Sequence, residues 1–283
     1  MLGSITWRDF SKHMVRNRLS LIGIVLILLL FLFAAIGPLL APYSPYATDP
    51  VNKLEGPSGV HLFGTDNLGR DILSRILFGA RISVTIATIV LIVSGGVGTA
   101  VGIVSGYFGG KVDSLLMRIT DLFLAFPRLI LAMAIAAALG RNLQNVVLAV
   151  AFTSWTIFAR LARGQALAVK QEAYVEAARA TGASNLRILF VHVLPMCLSP
   201  VIIQGTIAMG GIILTVAGLG FIGFGAQPPT PEWGVMVSDG RNYLPNAWWA
   251  CVFPGVAIMF TVLGFNLLGD GVRDILDPRM RSR

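Results

Sequence analysis

Apolar residues in this chain of 283 gather into long runs separated by short polar stretches. From Leu19 to about Ala41 almost every position is apolar, enough for a helix to cross ~30 Å of hydrocarbon. Arg8, Lys12, Arg16 and Arg18 precede it as in a signal peptide, but a secretory apolar region is only about 7–15 residues long. With no clear small-residue cleavage site following, the run reads as a retained first span with its N-terminus inside. Five further spans are predicted at Ile82–Gly106, Leu122–Gly140, Asn145–Leu161, Ser199–Phe221 and Trp248–Leu268. The expected fold is an all-α membrane protein, a six-span polytopic helical bundle with both termini cytoplasmic.

The polar intervals carry the organisation. Residues 42–81 hold Pro42, Pro45, Pro50 and Pro57 with Gly56 and Gly59, which predicts a turn-rich outer loop. The chain therefore divides into an N-terminal region, 1–81, and a five-span core, 82–283. Gly95, Gly96, Gly98, Gly102 and Gly106 crowd the second span and predict close helix packing, since no side chain holds the backbones apart there. Val112, Leu115, Ile119 and Leu122 share one helical face, the pattern of an amphipathic lead-in lying at the membrane interface. Arg128 follows Pro127 near the start of the third span and is expected to snorkel to the headgroups.

The longest inner connection is 162–198. Ala173, Glu176, Ala177, Ala178 and Ala180 favour a helix, Gly182 interrupts it, and Ser184 suits the cap of a second helix. The pattern predicts two short cytoplasmic helices around a glycine turn. Alanines permit deep docking in a groove of a soluble partner, and Glu176 offers a charge-assisted hydrogen bond. The plainer alternative is a helical hairpin that only covers the end of the bundle.

Composition agrees with the membrane reading: 55% of residues are hydrophobic, 13% charged, and mean hydropathy is +0.76. Soluble domains carry about 25% charge. The net charge of +8 comes without an aromatic-interleaved basic patch, so no nucleic acid is expected as a partner. Fifteen of the 22 Lys and Arg fall on the proposed inner side and six on the outer, as the positive-inside rule requires. Cys197 and Cys251 belong to no CxxC pair, and His13, His61 and His192 are isolated, so neither a disulfide nor a metal site is expected.

Glu176-Ala177-Ala178, Gly182 and Val193-Leu194-Pro195 resemble the cytoplasmic EAA loop of ABC importer permeases. Phe63–Asp71 with Ser74-Arg75 and Gly79-Ala80-Arg81, Gln227–Gly234, and Asn266–Asp274 with Asp277-Pro278-Arg279 resemble the C-type permease subunits of dipeptide, oligopeptide and nickel importers. Val193 stands where that family often has isoleucine. The resemblance covers nearly the whole chain and implies the type I ABC importer permease fold. It also implies a second homologous permease, two cytoplasmic ATPase subunits that hold ATP and Mg, an extracytoplasmic substrate-binding protein, and placement in the cytoplasmic (inner) membrane. The chain itself lacks a G-x-x-x-x-G-K-[ST] phosphate loop, so it is expected to bind no cofactor and not to be an enzyme.

Candidate residues follow from both readings. The resemblance assigns ATPase coupling to Glu176, Ala177, Ala178, Gly182, Leu194 and Pro195. Arg70, Asp71 and Arg75 are candidates for an outer-loop contact or gate, with local capping and salt bridging as the alternative. Gln204, Thr206, Met209, Thr215 and Asn266 interrupt apolar helices and are candidates for the path, or for bonds within and between helices. Arg273, Asp274, Asp277 and Arg279 are candidates for a C-terminal contact or form a solvated tail. The cargo expected is dipeptides or short oligopeptides, with nickel or a nickel complex as the alternative. A self-contained secondary transporter is the competing class; no buried acidic residue for ion coupling and no inverted repeat stand out in its favour.

Overall fold

The computed structural model describes residues 18–276, and those residues form helices joined by turns and loops. In chain order the helices are α1 (Arg18–Leu40), α2 (Ile72–Phe108), α3 (Gly110–Leu124), α4 (Arg128–Leu139), α5 (Leu143–Val169), α6 (Ala173–Ala180) and α7 (Asn185–Ile188). A π-helical turn, Leu189–Val193, leads into α8 (Leu194–Ile222), followed by α9 (Trp233–Gly240) and α10 (Trp249–Leu276). Among the described residues five helical stretches are long and apolar enough to span a membrane. They are α1, α2, α5, the continuous run Asn185–Ile222, and α10. The bent pair α3–α4 makes a sixth if counted as one broken span.

Three boundaries differ from the expectation. The helix predicted from Ile82 begins ten residues earlier, at Ile72, because Asp71 caps it: its Oδ2 accepts from the backbone N–H of Ser74 at 2.8 Å. At 37 residues α2 is about 55 Å long, well beyond the hydrocarbon thickness. The third span is an elbow, with α3 and α4 meeting at 89°. Pro127 at the elbow has no N–H to continue the ladder and disfavours helix in Phe126 before it. The helix after Ser184 does not stop short of the fifth span, since the π turn joins it to α8, and Pro195 follows directly on that turn, where the ordinary i→i−4 ladder is already interrupted.

The chain forms two compact units. The first takes the described parts of Met1–Thr88, Leu139–Val147 and Thr206–Arg283, and the second takes Ile89–Ala138 and Leu148–Gly205. In the first unit α1 packs on α10 through glycines. A Cβ on Gly23 would lie 2.7 Å from the Leu268 nitrogen, and Gly264 faces Leu26 and Ile27. Asn145 donates from Nδ2 to the carbonyls of Leu139 and Gly140 and closes the α4–α5 turn.

In the second unit Gly98, Gly102 and Gly106 form the close-packing stripe anticipated for α2. Cβ atoms at these positions would sit 2.2, 2.3 and 2.7 Å from the carbonyl oxygens of Trp155, Ala159 and Arg163 on α5. Backbone contact of this kind replaces the hydrophobic drive that lipid cannot provide between helices. Gly109 and Gly110, at φ of 67° and 55°, then turn the chain from α2 into α3, a reversal that side chains would strain.

Candidate functional site

The second unit carries the 162–198 segment. Its core is apolar: Ile103 and Tyr107 of α2, Ala162, Ala166 and Val169 of α5, and Val175, Ile188, Leu189, Val193 and Cys197 of the segment and its exit are all buried together. Val175 and Ile188 face inward from the two short helices, so α6 and α7 are seated on the ends of α2 and α5. The turn between them is a Schellman motif. Ala183 N–H bonds Ala178 O and Gly182 N–H bonds Arg179 O, both at 3.0 Å, with Gly182 at φ 84°. Ser184 caps α7 as anticipated, its hydroxyl accepting from the Arg187 N–H at 3.4 Å.

This seating sorts the candidate coupling residues. Glu176, Ala177 and Gly182 are exposed, as are Ala173 and Ala180 on the same short helix. Ala178 and Leu194 are half-buried against the apolar core, and Pro195 is exposed. A helix of small residues with one carboxylate is thus presented outward on a fixed base. Burial of Val175 on the base supplies roughly 1.5–3 kcal/mol to hold it there.

Charged residues lock the neighbouring turn. Arg163 binds Asp113 with both Nε and Nη2, at 2.5 and 2.6 Å, and Ser105 donates to the same carboxylate. Arg160 pairs with Asp121 at 2.6 Å, with side chains 56% and 59% exposed. Lys170 donates to Gly106 O at 2.9 Å, and the Tyr107 hydroxyl donates to Asn185 Oδ1 at 2.8 Å. The sequence marks Asp113, Asp121, Arg160, Arg163 and Lys170 only as charges flanking the spans on the inner side, not as partners of one another. The one available signal was the density of polar side chains around the Gly109-Gly110 pair.

In the first unit Arg70, Asp71 and Arg75 come together, and all three are buried, at 2%, 2% and 1% exposure. Arg70 pairs with Asp66 at 2.6 Å and lies 3.9 Å from Asp239. Arg75 donates to the carbonyls of Pro45 and Pro229 at 2.9 and 3.2 Å, which ties the 42–71 loop and the 223–232 loop to α2. Asp71 holds His61 at 2.9 Å and the Ser74 hydroxyl at 2.7 Å. Nearby, Glu232 caps α9 by accepting from the N–H groups of Gly234 and Val235. Burial pushes its carboxyl above the usual carboxylate range, against those two bonds, which favour the charged form.

The path candidates do not converge on one helix face. At about 100° per residue, Gln204 and Thr215 share one side of α8, while Thr206 and Met209 lie on the other. Gln204 and Thr206 are half-buried, Met209 is buried, and Thr215 is buried with its hydroxyl bonded to Gly211 O in its own helix. Asn266 on α10 is exposed, with its Oδ1 beside Gly210. Arg273 is exposed in the last turn of α10; the Asp274 side chain, Asp277 and Arg279 lie outside the described residues. Among the described residues no three His, Cys, Asp or Glu side chains gather as a metal site would need.

Comparison with known proteins completes the picture. Residues 98–282 match the family model described as binding-protein-dependent transport system inner membrane component, and residues 6–57 match the N-terminal TM domain of oligopeptide transport permease C. The dipeptide transport system permease protein of Alkalihalophilus pseudofirmus is 46% identical over 276 residues, covering 98% of this chain and 91% of that protein. A probable D,D-dipeptide transport system permease protein of Escherichia coli is 47% identical over 261 residues, 92% and 88% of the two chains. The glutathione transport system permease protein of Pectobacterium atrosepticum is 43% identical over 277 residues, 98% and 92% of the two. With its long apolar helices and these matches, the chain belongs to the family of binding-protein-dependent transport inner membrane components and is a multi-pass permease of the inner membrane.

Proposed function

We propose that this permease subunit passes dipeptides or short oligopeptides inward as part of an ATP-driven ABC importer. It works with a second homologous permease, two cytoplasmic ATPase subunits and an extracytoplasmic binding protein. Its N- and C-termini and the 162–198 segment lie on the cytoplasmic side. The observation that carries this reading is the exposed small-residue face of α6 on an apolar base, in a chain whose relatives are named as dipeptide and glutathione permeases. In this reading α6 docks on an ATPase subunit through Ala173, Glu176, Ala177 and Ala180, while Ala178 and Leu194 seat the segment. Binding and hydrolysis of ATP by the partner subunits then move the paired permeases between outward-open and inward-open states. Arg70, Asp71 and Arg75 act by fixing the 42–71 loop, the expected outer loop, rather than by touching a partner. The exposed Asn266 is the candidate for the path, and Arg273 for a C-terminal contact.

The test is the purified complex of this chain with its native partners. Hydrolysis of ATP is expected to rise when the binding protein is loaded with a dipeptide and not when it is loaded with nickel; the reverse result would replace the cargo. Docking is tested by Ala177→Trp, because the site is exposed and the indole has room within this chain. The ATPase subunits should fail to co-purify although the permease still inserts. Unchanged association and unchanged stimulation would remove the docking assignment.

A further inference from the structure

The apolar base explains how the 162–198 segment is held, but the polar contacts show where its movement would be felt. Tyr107 lies in the last turn of α2, 6% exposed, one residue before Phe108 ends the helix. Its hydroxyl donates to Asn185, the first residue of α7. Its ring lies 5.9 Å from the Arg179 guanidinium carbon, within the range of a cation–π contact. Arg179 stands before the Gly182 turn and Asn185 after it. One side chain of α2 therefore holds both arms of the α6–α7 turn.

The surroundings make Tyr107 more than a space-filler. Gly106, its neighbour, accepts from Lys170 at the exit of α5, and Ser105 donates to Asp113, which is clamped by Arg163. The end of α2, the start of α3 and the end of α5 are thus fastened together, and Tyr107 joins that assembly to the α6–α7 turn. The reversal beside it places both Gly109 and Gly110 at positive φ, so the chain passes from α2 into α3 within a few residues of Tyr107.

We propose that Tyr107 is a positioning residue that transmits displacement of the α6–α7 turn into the end of α2 and the elbow helix α3. This rests on the reading that α6 docks on an ATPase subunit. If the hydroxyl bond is severed, the partner subunit still engages α6, but part of its movement is lost in slack between Asn185 and α2. ATP hydrolysis then continues with less cargo moved.

The experiment uses the full complex in proteoliposomes and measures peptide imported per ATP hydrolysed, for Tyr107→Phe, Asn185→Ala and the pair combined. Phenylalanine keeps the ring against Arg179 and the packing of the base. Each single variant should lower the ratio about fivefold, in line with the loss of one part-buried hydrogen bond, and the combined variant should lower it no further. A purely structural bond would instead lower the thermal midpoint and leave the ratio at the wild-type value, which would overturn the proposal, as would additive losses. Ala177→Trp separates this from the reading beneath it. If that variant loses the ATPases while Tyr107→Phe keeps the wild-type ratio, the joint alone is wrong. If Ala177→Trp keeps them and their stimulation, docking itself is wrong and the joint falls with it.

Discussion

The two longest polar stretches, 42–81 and 162–198, treat their charges in opposite ways. The first folds Asp66, Arg70, Asp71 and Arg75 inward, each with a charged or hydrogen-bonding partner. The second buries only apolar side chains, Val175 and Ile188 among them, and leaves Glu172, Glu176, Arg179 and Arg187 on the surface. The difference shows which stretch is closed and which is available. A buried ion network is satisfied within its own chain and has little to offer a partner, because opening it would strand charges. The exposed Glu176 carboxylate has no hydrogen-bond partner among the described residues, so its capacity is open to a partner.

Two substitutions test that contrast, and a third, at an exposed ion pair outside both stretches, sets its lower bound. The largest effect is expected from Arg75→Met, which strands the Pro45 and Pro229 carbonyls and weakens the charge balance around Asp66. Breaking a buried network of this kind costs about 3–5 kcal/mol, so the variant should express poorly and unfold well below the wild-type temperature in detergent. A normally folded Met variant would show the network to be dispensable. Glu176→Ala should do the reverse. Thermal stability should stay within ~0.5 kcal/mol of wild type, as for exposed sites generally, while ATP hydrolysis stimulated by the binding protein falls about tenfold through loss of a charge-assisted bond. Retained stimulation would break the contrast at its functional end. The smallest effect belongs to Asp121→Asn. Both partners of the Arg160–Asp121 pair are more than half exposed, so its loss should change stability by less than ~1 kcal/mol. A larger loss in the assembled complex than in the isolated chain would reveal that a partner covers this pair.

Much of the fold was legible because lipid imposes a coarse pattern. A run of twenty apolar residues can do little else than form a spanning helix, and α1, α5 and α10 appear within the predicted runs or extend them. Ser184 and Gly182 were readable as well, since caps and left-handed turns have few suitable residues. The start of α2 was not. Arg75 looks like a loop residue until Asp66, Pro45 and Pro229 supply a buried environment in which an arginine can sit inside a helix. The elbow at Pro127 was half legible: the amphipathic face from Val112 to Leu122 was visible, but the sequence alone did not place the break between α3 and α4.

Within the candidate site the division is sharper. Residue types alone predicted a helix at Glu176, Ala177 and Ala178 that could dock on a partner or cover the bundle end, the resemblance to importer permeases assigned it to docking, and the apolar spacing put it between two spans. Which alanine faces out and which faces the base depends on where α2 and α5 end, and those ends come from far along the chain. Tyr107 and Asn185 are 78 positions apart, as no local period could foretell. Short-range rules of hydropathy, capping and turn chemistry determined the elements and their membrane setting. Only the packing of distant helices decided which polar groups became a closed network, which stayed exposed, and which tie the two short helices to the spans, because burial and hydrogen bonding depend on neighbours that sequence proximity does not supply.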